Sequence, residues 1–399
     1  MNSLTRFALY MVAFTCAGGA LAQTPDASTD DALIGGPIAA PVAFVYLQSG
    51  SSKVYGFAAA ANGELHAVPG SPYNYAVSPQ AVNGKYLFGV KADGATIESY
   101  LMESTGALEP VDSMNTKPYD PHACGYPGAI HVDHSGQNLY NTILEEDCSY
   151  YDVSAVQSFK IDSANGQLAY IATTPADAGY GGVDVFLGNN KFAYAVDTFG
   201  FDSESDCGID VYKRPSNGDL DYLGYVDMET LSPATNLGFT YYCANALAAD
   251  PTNHIATLME QNDGEDGVYG VLQIGVYTAD SQGKLSTTST YQNMPEVKTI
   301  GLYDPGSMRM SPSGKLLAVG GPKGLEIFHF NGADPATEFE VLLSNKAIGE
   351  LYWDTSNHLY AEVGGNKLYV YTITPTSITE APGSPYSIPQ LSSLIVQSK

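Results

Sequence analysis

Short runs of alternating apolar and polar residues fill this chain, and the runs stop at Gly, Pro, Asn, Asp or Ser. That is the period of strands with one face toward a core, broken by tight turns. Within the runs one pattern recurs: aliphatic, variable, variable, aromatic. It occurs as Val54-Tyr55-Gly56-Phe57, Ile97-Glu98-Ser99-Tyr100, Val156-Gln157-Ser158-Phe159 and Ile209-Asp210-Val211-Tyr212. It continues as Ile274-Gly275-Val276-Tyr277, Leu325-Glu326-Ile327-Phe328 and Leu368-Tyr369-Val370-Tyr371. The final aromatics lie between 43 and 65 residues apart. A Gly-x-Leu step follows the first five copies, beginning at Gly63, Gly106, Gly166, Gly218 and Gly283. Gly supplies the positive φ of a hairpin turn and Leu starts the next strand. From the second copy on, a turn and an aromatic-rich strand precede the pattern, as in Asn83-Gly84-Lys85-Tyr86-Leu87-Phe88.

Each repeat therefore reads as strand, tight turn, strand, variable loop, strand, Gly turn, strand. Seven such four-stranded antiparallel meanders predict an all-β, seven-bladed β-propeller. A lone blade cannot bury both faces, whereas blades packed radially cover one another and leave few free edges. A two-sheet sandwich could use the same strands, but it leaves the in-phase copies unexplained. The first repeat lacks its first strand: it starts with Ala43–Leu47, then Val54–Ala58 and Leu65–Val68. One strand, Ser393-Leu394-Ile395-Val396, is left over at the far end. It is expected to become the innermost strand of the first blade and so latch the ring. The loops between strands two and three, and the segments between blades, then share one face, the top.

Charge narrows the choice of partner. Asp and Glu number 43 and Lys and Arg 17 in 399 residues, a formal charge of -26. Nucleic acid and anionic membrane surfaces need clustered cations and are excluded as partners. The apolar fraction of 44% excludes disorder throughout. Residues 1–22 read as a cleavable signal peptide, with Arg6, an apolar stretch to Leu21 and an Ala20-Leu21-Ala22 cleavage site. Thr15 before Cys16 speaks against a lipoprotein. Residues 23–41 read as a flexible leader and 42–399 as the propeller. No later stretch is long enough for a membrane span. A monomer that is periplasmic or secreted is expected. Four cysteines then remain, and an even count in an exported chain points to disulfides. Spacing alone allows three pairings. The propeller frame puts all four on the top and selects Cys124–Cys148 and Cys207–Cys243.

The repeat resembles the bacterial lactonase-like seven-bladed propellers, the family of 6-phosphogluconolactonase and muconate cycloisomerase. Ser311-Pro312-Ser313-Gly314-Lys315 matches that family's inner turn. Gly70-Ser71-Pro72-Tyr73 and its copy Gly383-Ser384-Pro385-Tyr386 match a strand-four ending of secreted members. The resemblance spans about residues 42 to 396 and implies a lactone hydrolase or cycloisomerase. It is specific for blade type, because these motifs serve the scaffold. The family's enzymes carry a His at the top of an inner strand, with Arg and Glu around the channel. The matching positions here, Ala76, Gly128, Gly182, Asn245, Gly306 and Gly349, hold no His. After signal cleavage only Arg214 and Arg309 remain as arginines. A phosphorylated sugar lactone is therefore a poor substrate, since Arg forks are what grip phosphate.

Two functional readings follow. In the first, the acidic top face binds a small molecule, a carbohydrate or a protein. In the second, acids and a His at the channel mouth hydrolyse or isomerise a lactone. The catalytic candidates are His122, Glu145, Glu146 and the inner-strand His131. Tyr126 and Tyr241 in the top loops, Asn245 at the start of an inner strand and Arg309, mid-strand in the sixth blade and expected toward the channel, are candidate ligand contacts. Asp202-x-Glu204-x-Asp206 sets hard oxygen ligands at alternate positions, the pattern of a Ca2+ loop. The same acids also read as a solvated rim. No cofactor is required, and Ca2+ is the one metal the pattern favours.

Overall fold

The computed structural model describes residues 40–93, 95–119, 126–144, 155–175, 183–198, 207–236, 238–239, 241–262, 269–300 and 307–399. The recurring pattern buries as its spacing requires. Its aliphatic members Val54, Ile97, Val156, Ile209, Ile274, Leu325 and Leu368 are 0% exposed. Its aromatics Phe57, Tyr100, Phe159, Tyr212, Tyr277, Phe328 and Tyr371 are all buried too. Positions three apart on a strand face opposite sides, so each third strand sends one anchor into each neighbouring blade. Burying a side chain of this size contributes roughly 1.5–3 kcal/mol.

The unit Gly35–Lys399 is a ring of seven antiparallel sheets. The first blade holds β1 (Ala43–Ser49), β2 (Lys53–Ala59) and β3 (Leu65–Ala67). The second holds β4 (Val77–Val82), β5 (Tyr86–Lys91), β6 (Thr96–Met102) and β7 (Leu108–Asn115). The third holds β8 (Tyr126–Val132), β9 (Asn138–Leu144), β10 (Ala155–Ile161) and β11 (Leu168–Pro175). The fourth holds β12 (Val185–Phe186), β13 (Phe192–Thr198), β14 (Cys207–Lys213) and β15 (Asp221–Asp227), followed by the short helix α1 (Met228–Leu231). The fifth holds β16 (Tyr241–Ala249), β17 (His254–Asn262), β18 (Tyr269–Ala279) and β19 (Leu285–Thr287). The sixth holds β20 (Ser307–Met310), β21 (Leu316–Gly321), β22 (Gly324–Asn331) and β23 (Asp334–Leu342). The seventh holds β24 (Ile348–Trp353), β25 (His358–Val363), β26 (Lys367–Thr374) and β27 (Ser377–Glu380), and β28 (Tyr386–Ser387) also pairs with β26. The last strand, β29 (Leu391–Ser398), joins β1 with Tyr46 opposite Ile395 and completes the first blade. Ring closure is thus as expected, and the sandwich alternative falls.

The apolar core lies in the seams. Six buried clusters each straddle two consecutive blades, from the first–second seam to the sixth–seventh. Polar latches repeat across the same seams. The second-strand hydroxyls of Tyr46, Tyr140 and Tyr194 donate to the carbonyls of Gly106, Gly218 and Gly283 in the next blade, at 2.7, 2.9 and 2.8 Å. These are the Gly-x-Leu glycines. At Gly106 a Cβ would lie 2.6 Å from the Phe44 ring, so the turn fits only without a side chain. The Gly-Ser-Pro-Tyr motif is a second latch. The Tyr73 hydroxyl donates to Pro69 O and accepts from Leu108 N of the second blade. Tyr386 does the same with Pro382 O and Leu65 N, closing the seventh blade on the first. Both motifs therefore serve the scaffold. Among the described residues, no helix is long and apolar enough to cross a membrane.

Candidate functional site in the axial channel

Strand register aligns the blades. In every blade the residue before the third-strand aromatic pairs with a second-strand residue, which pairs with one on the innermost strand. Following that path gives one inner residue per blade, at one height: Ile395, Ala81, His131, Val185, Ala248, Arg309 and Tyr352. The only hydrogen-bonding side chains in this layer are His131, Arg309 and Tyr352. Inner strands run from top to bottom, so Asp184 and Glu350, just before Val185 and Tyr352, lie on the top side of the layer.

The Arg309 guanidinium acts on His131 from the third blade, Asp184 from the fourth and Tyr352 from the seventh. Burial, and to a lesser degree the Arg309 charge, lower the His131 pKa to about 4. The imidazole is only partly exposed, and protein surrounds it. It is therefore neutral at pH 7 and makes no hydrogen bond among the described residues. Asp184 is exposed and accepts from Val196 N at 2.7 Å; the protein crowded around its carboxyl raises its pKa against the opposing pull of that N–H and of Arg309. Burial also raises the Tyr352 pKa, so its hydroxyl stays protonated. Arg309 is half-exposed and lies 3.8 Å from Glu350 Oε2, a loose pair in water.

The backbone aims these groups. A bulge between Ile348 and Leu351 sets Glu350 toward Arg309. The buried Glu362 holds that bulge by accepting from Glu350 N at 3.1 Å and Gly365 N at 2.9 Å. A Cβ at Gly349 would lie 1.9 Å from Glu362 Oε2, so only Gly permits this contact. A matching bulge in β16 presents Asn245, whose amide donates to the buried Glu260 at 3.2 Å. The layer thus combines one guanidinium fork, one neutral imidazole and one phenol. Together they can hold a carboxylate or polarise a carbonyl.

The sequence candidates divide accordingly. His131 and Arg309 share the layer, and Asn245 faces Glu260. Tyr241 is a correction: it opens β16 and is 4% exposed, so it is a core residue and cannot stack on a ligand. Glu260 and Asp210 do not belong to an exposed acidic rim: they are 7% and 0% exposed inside strands. Asp210 accepts from the Tyr222 hydroxyl at 3.0 Å. Cys243 lies within β16, not in a connecting segment, and is disulfide-bonded. Cys207 opens β14 instead of sitting in the preceding loop. His122, Cys124, Glu145, Glu146, Cys148, Asp202, Glu204, Asp206 and the side chains of Tyr126 and Cys207 lie outside the described residues. Among the described residues, no group of three or more His, Cys, Asp or Glu could hold a metal ion. Sequence reading missed Asp184, Glu350 and Tyr352, because a bulge in β24 breaks the alternation that reveals facing and β12 is only two residues long.

No family model and no curated protein matches the chain. Solved structures do. The periplasmic gluconolactonase of Pseudomonas aeruginosa is 14% identical with a TM-score of 0.62, over 89% of this chain and 99% of that one. A candidate 6-phosphogluconolactonase of Bacteroides uniformis is 15% identical with a TM-score of 0.60, over 89% and 99%. A Lactobacillus plantarum protein is 14% identical with a TM-score of 0.60, over 90% and 100%. At such identities the likeness carries the fold alone: this chain is a seven-bladed β-propeller whose structural neighbours include 6-phosphogluconolactonase-like proteins.

Proposed function

We propose that the protein binds a small oxygen-rich molecule bearing a carboxylate or lactone group in its axial channel. The single observation carrying this reading is the strand register that sets His131, Arg309 and Tyr352 at one height on the inner strands. Arg309 is the anchor, and its planar fork suits a carboxylate. Tyr352 donates a hydrogen bond, and neutral His131 accepts one.

A second reading, lactone hydrolysis, is favoured by His131 being neutral and unpartnered, as a general base must be. Water would attack the lactone carbonyl as His131 takes its proton. Arg309 and Tyr352 would stabilise the oxyanion. The ring C–O bond would then break, and the alkoxide would take the proton back from His131. Calorimetric titration with gluconate and with glucono-δ-lactone, paired with a pH-stat assay of acid release, tests both. Binding lost in Arg309→Met supports the channel site. Acid release lost in His131→Asn, with binding retained, selects hydrolysis. No binding of either compound by the wild type would overturn the proposal.

The same reading extends to export and the top face. Cleavage after Ala22, the disulfides Cys124–Cys148 and Cys207–Cys243, and Ca2+ on Asp202, Glu204 and Asp206 form one consistent set for an exported, acidic platform. A melt with Ca2+ and then EDTA tests the metal, because a ligand that binds only the folded state raises Tm. An unchanged melt would leave these acids as a solvated rim.

A further inference from the structure

A groove of about 540 Å3 opens on the top side of the seam between the fifth and sixth blades, away from the channel layer. Its wall is rigid. Segment 295–300 crosses between the blades and is hydrogen-bonded to both. Ile274 N donates to Pro295 O and Val297 N to Leu272 O on the fifth blade. Lys298 N donates to Glu326 Oε2, and Lys323 N donates to Thr299 O, on the sixth.

The lining is apolar below, and its rim carries Glu296, Lys298 and Lys323. Phe239, Val271, Tyr291 and Val297 supply apolar surface, and Val271 is 38% exposed. A Cβ at Gly270 would lie 2.7 Å from Gln261 Cβ and 3.1 Å from the Phe239 ring, so glycine lets that ring close on the backbone. Gln261 is 1% exposed and accepts from Asn236 N through Oε1. Its amide nitrogen has no partner among the described residues. At the rim, Lys298 is held by Glu338 at 2.6 Å and feels Glu296. Lys323 is exposed, and its ammonium has no partner among the described residues.

We propose that this groove binds a small organic acid with an apolar ring-bearing body. The rings lie against Phe239, Val271 and Val297, and the single anionic group meets Lys323. The proposal is independent of the channel reading. The probe is 1-anilinonaphthalene-8-sulfonate, titrated by fluorescence against the folded full chain. One saturable site is expected. Losing a charged hydrogen bond, Lys323→Glu should weaken it about tenfold. Lys323→Arg, Lys53→Glu and Arg309→Met should leave it unchanged. Val271→Glu, which puts a carboxylate on the apolar floor, should weaken it as well. The uncharged N-phenyl-1-naphthylamine should be insensitive to Lys323→Glu. Wild-type affinity in Lys323→Glu, equal loss of the uncharged probe, or no saturable site in the wild type would each overturn the proposal.

Discussion

The Tyr140 hydroxyl donates to the Gly218 carbonyl at 2.9 Å, tying the third blade to the turn of the fourth. The same oxygen accepts from Arg214 Nε at 2.9 Å. Arg214 also donates to Asn138 Oδ1 at 2.7 Å and pairs with the buried Asp133. One of the two arginines in residues 42–399 is thus spent on the scaffold. Tyr140→Phe should cost about 1 kcal/mol, the usual net value of one such bond. Arg214→Met should cost more, about 3 kcal/mol, because it strands the Asp133 carboxylate. Urea denaturation measures both. Equal losses would mean that Asp133 is satisfied without Arg214.

Ring closure predicts a kinetic effect. Leu394, Ile395 and Val396 are 5%, 3% and 3% exposed, and they come from the far end of the chain. Ile395→Ala should cost roughly 2–5 kcal/mol. Contacts of such sequence separation form late, so the loss should fall mainly on the unfolding rate. Stopped-flow unfolding would show a faster phase with folding little changed. A slowed folding limb instead would place closure early.

The fold was legible because each blade repeats one local pattern with one burial outcome. Ile97 and Tyr100 read as anchors from spacing alone. The latch hydroxyls of Tyr46 and Tyr194 did not, since a Tyr on a strand looks alike with or without a carbonyl beyond it. The candidate site was half legible. His131 stood out through its alternation with Ile130 and Val132, and Arg309 through scarcity. Their common height follows only from pairing register across blades, which no single sequence window contains. Tyr241 failed for a related reason: the strand begins earlier than its flanking residues suggest, and the ring is buried with it.

His131 offers a direct readout of the channel. Its imidazole should titrate at about 4, with burial the larger cause and Arg309 the smaller. Arg309→Met should therefore raise this pKa only part of the way to 6.5. A bound carboxylate that neutralises Arg309 should act in the same direction. NMR of the ring protons follows both. No change in Arg309→Met would separate the two residues and dissolve the proposed site.

Glu326 gives the sharpest pH test. It is 0% exposed; Oε2 accepts from Lys298 N at 2.9 Å, the Thr299 N–H also acts on the carboxylate, and Oε1 is buried with no close hydrogen-bond partner among the described residues. Burial is the main cause raising its pKa above 4.5. The folded state thus prefers the protonated form. That preference is fully present below about 4.5, the unfolded value, and is lost as pH rises through the folded pKa. Glu326→Gln keeps an acceptor for Lys298 N and removes the charge. The variant should match the wild type near pH 4 and melt higher at pH 8. Glu362 is raised for the same reason, but both its oxygens accept backbone N–H bonds, so Glu362→Gln forfeits one of them and should gain less. A Glu326→Gln effect that does not change between pH 4 and pH 8 would mean that the carboxylate is not desolvated, and that the stitch between segment 295–300 and β22 is wetter than its burial indicates.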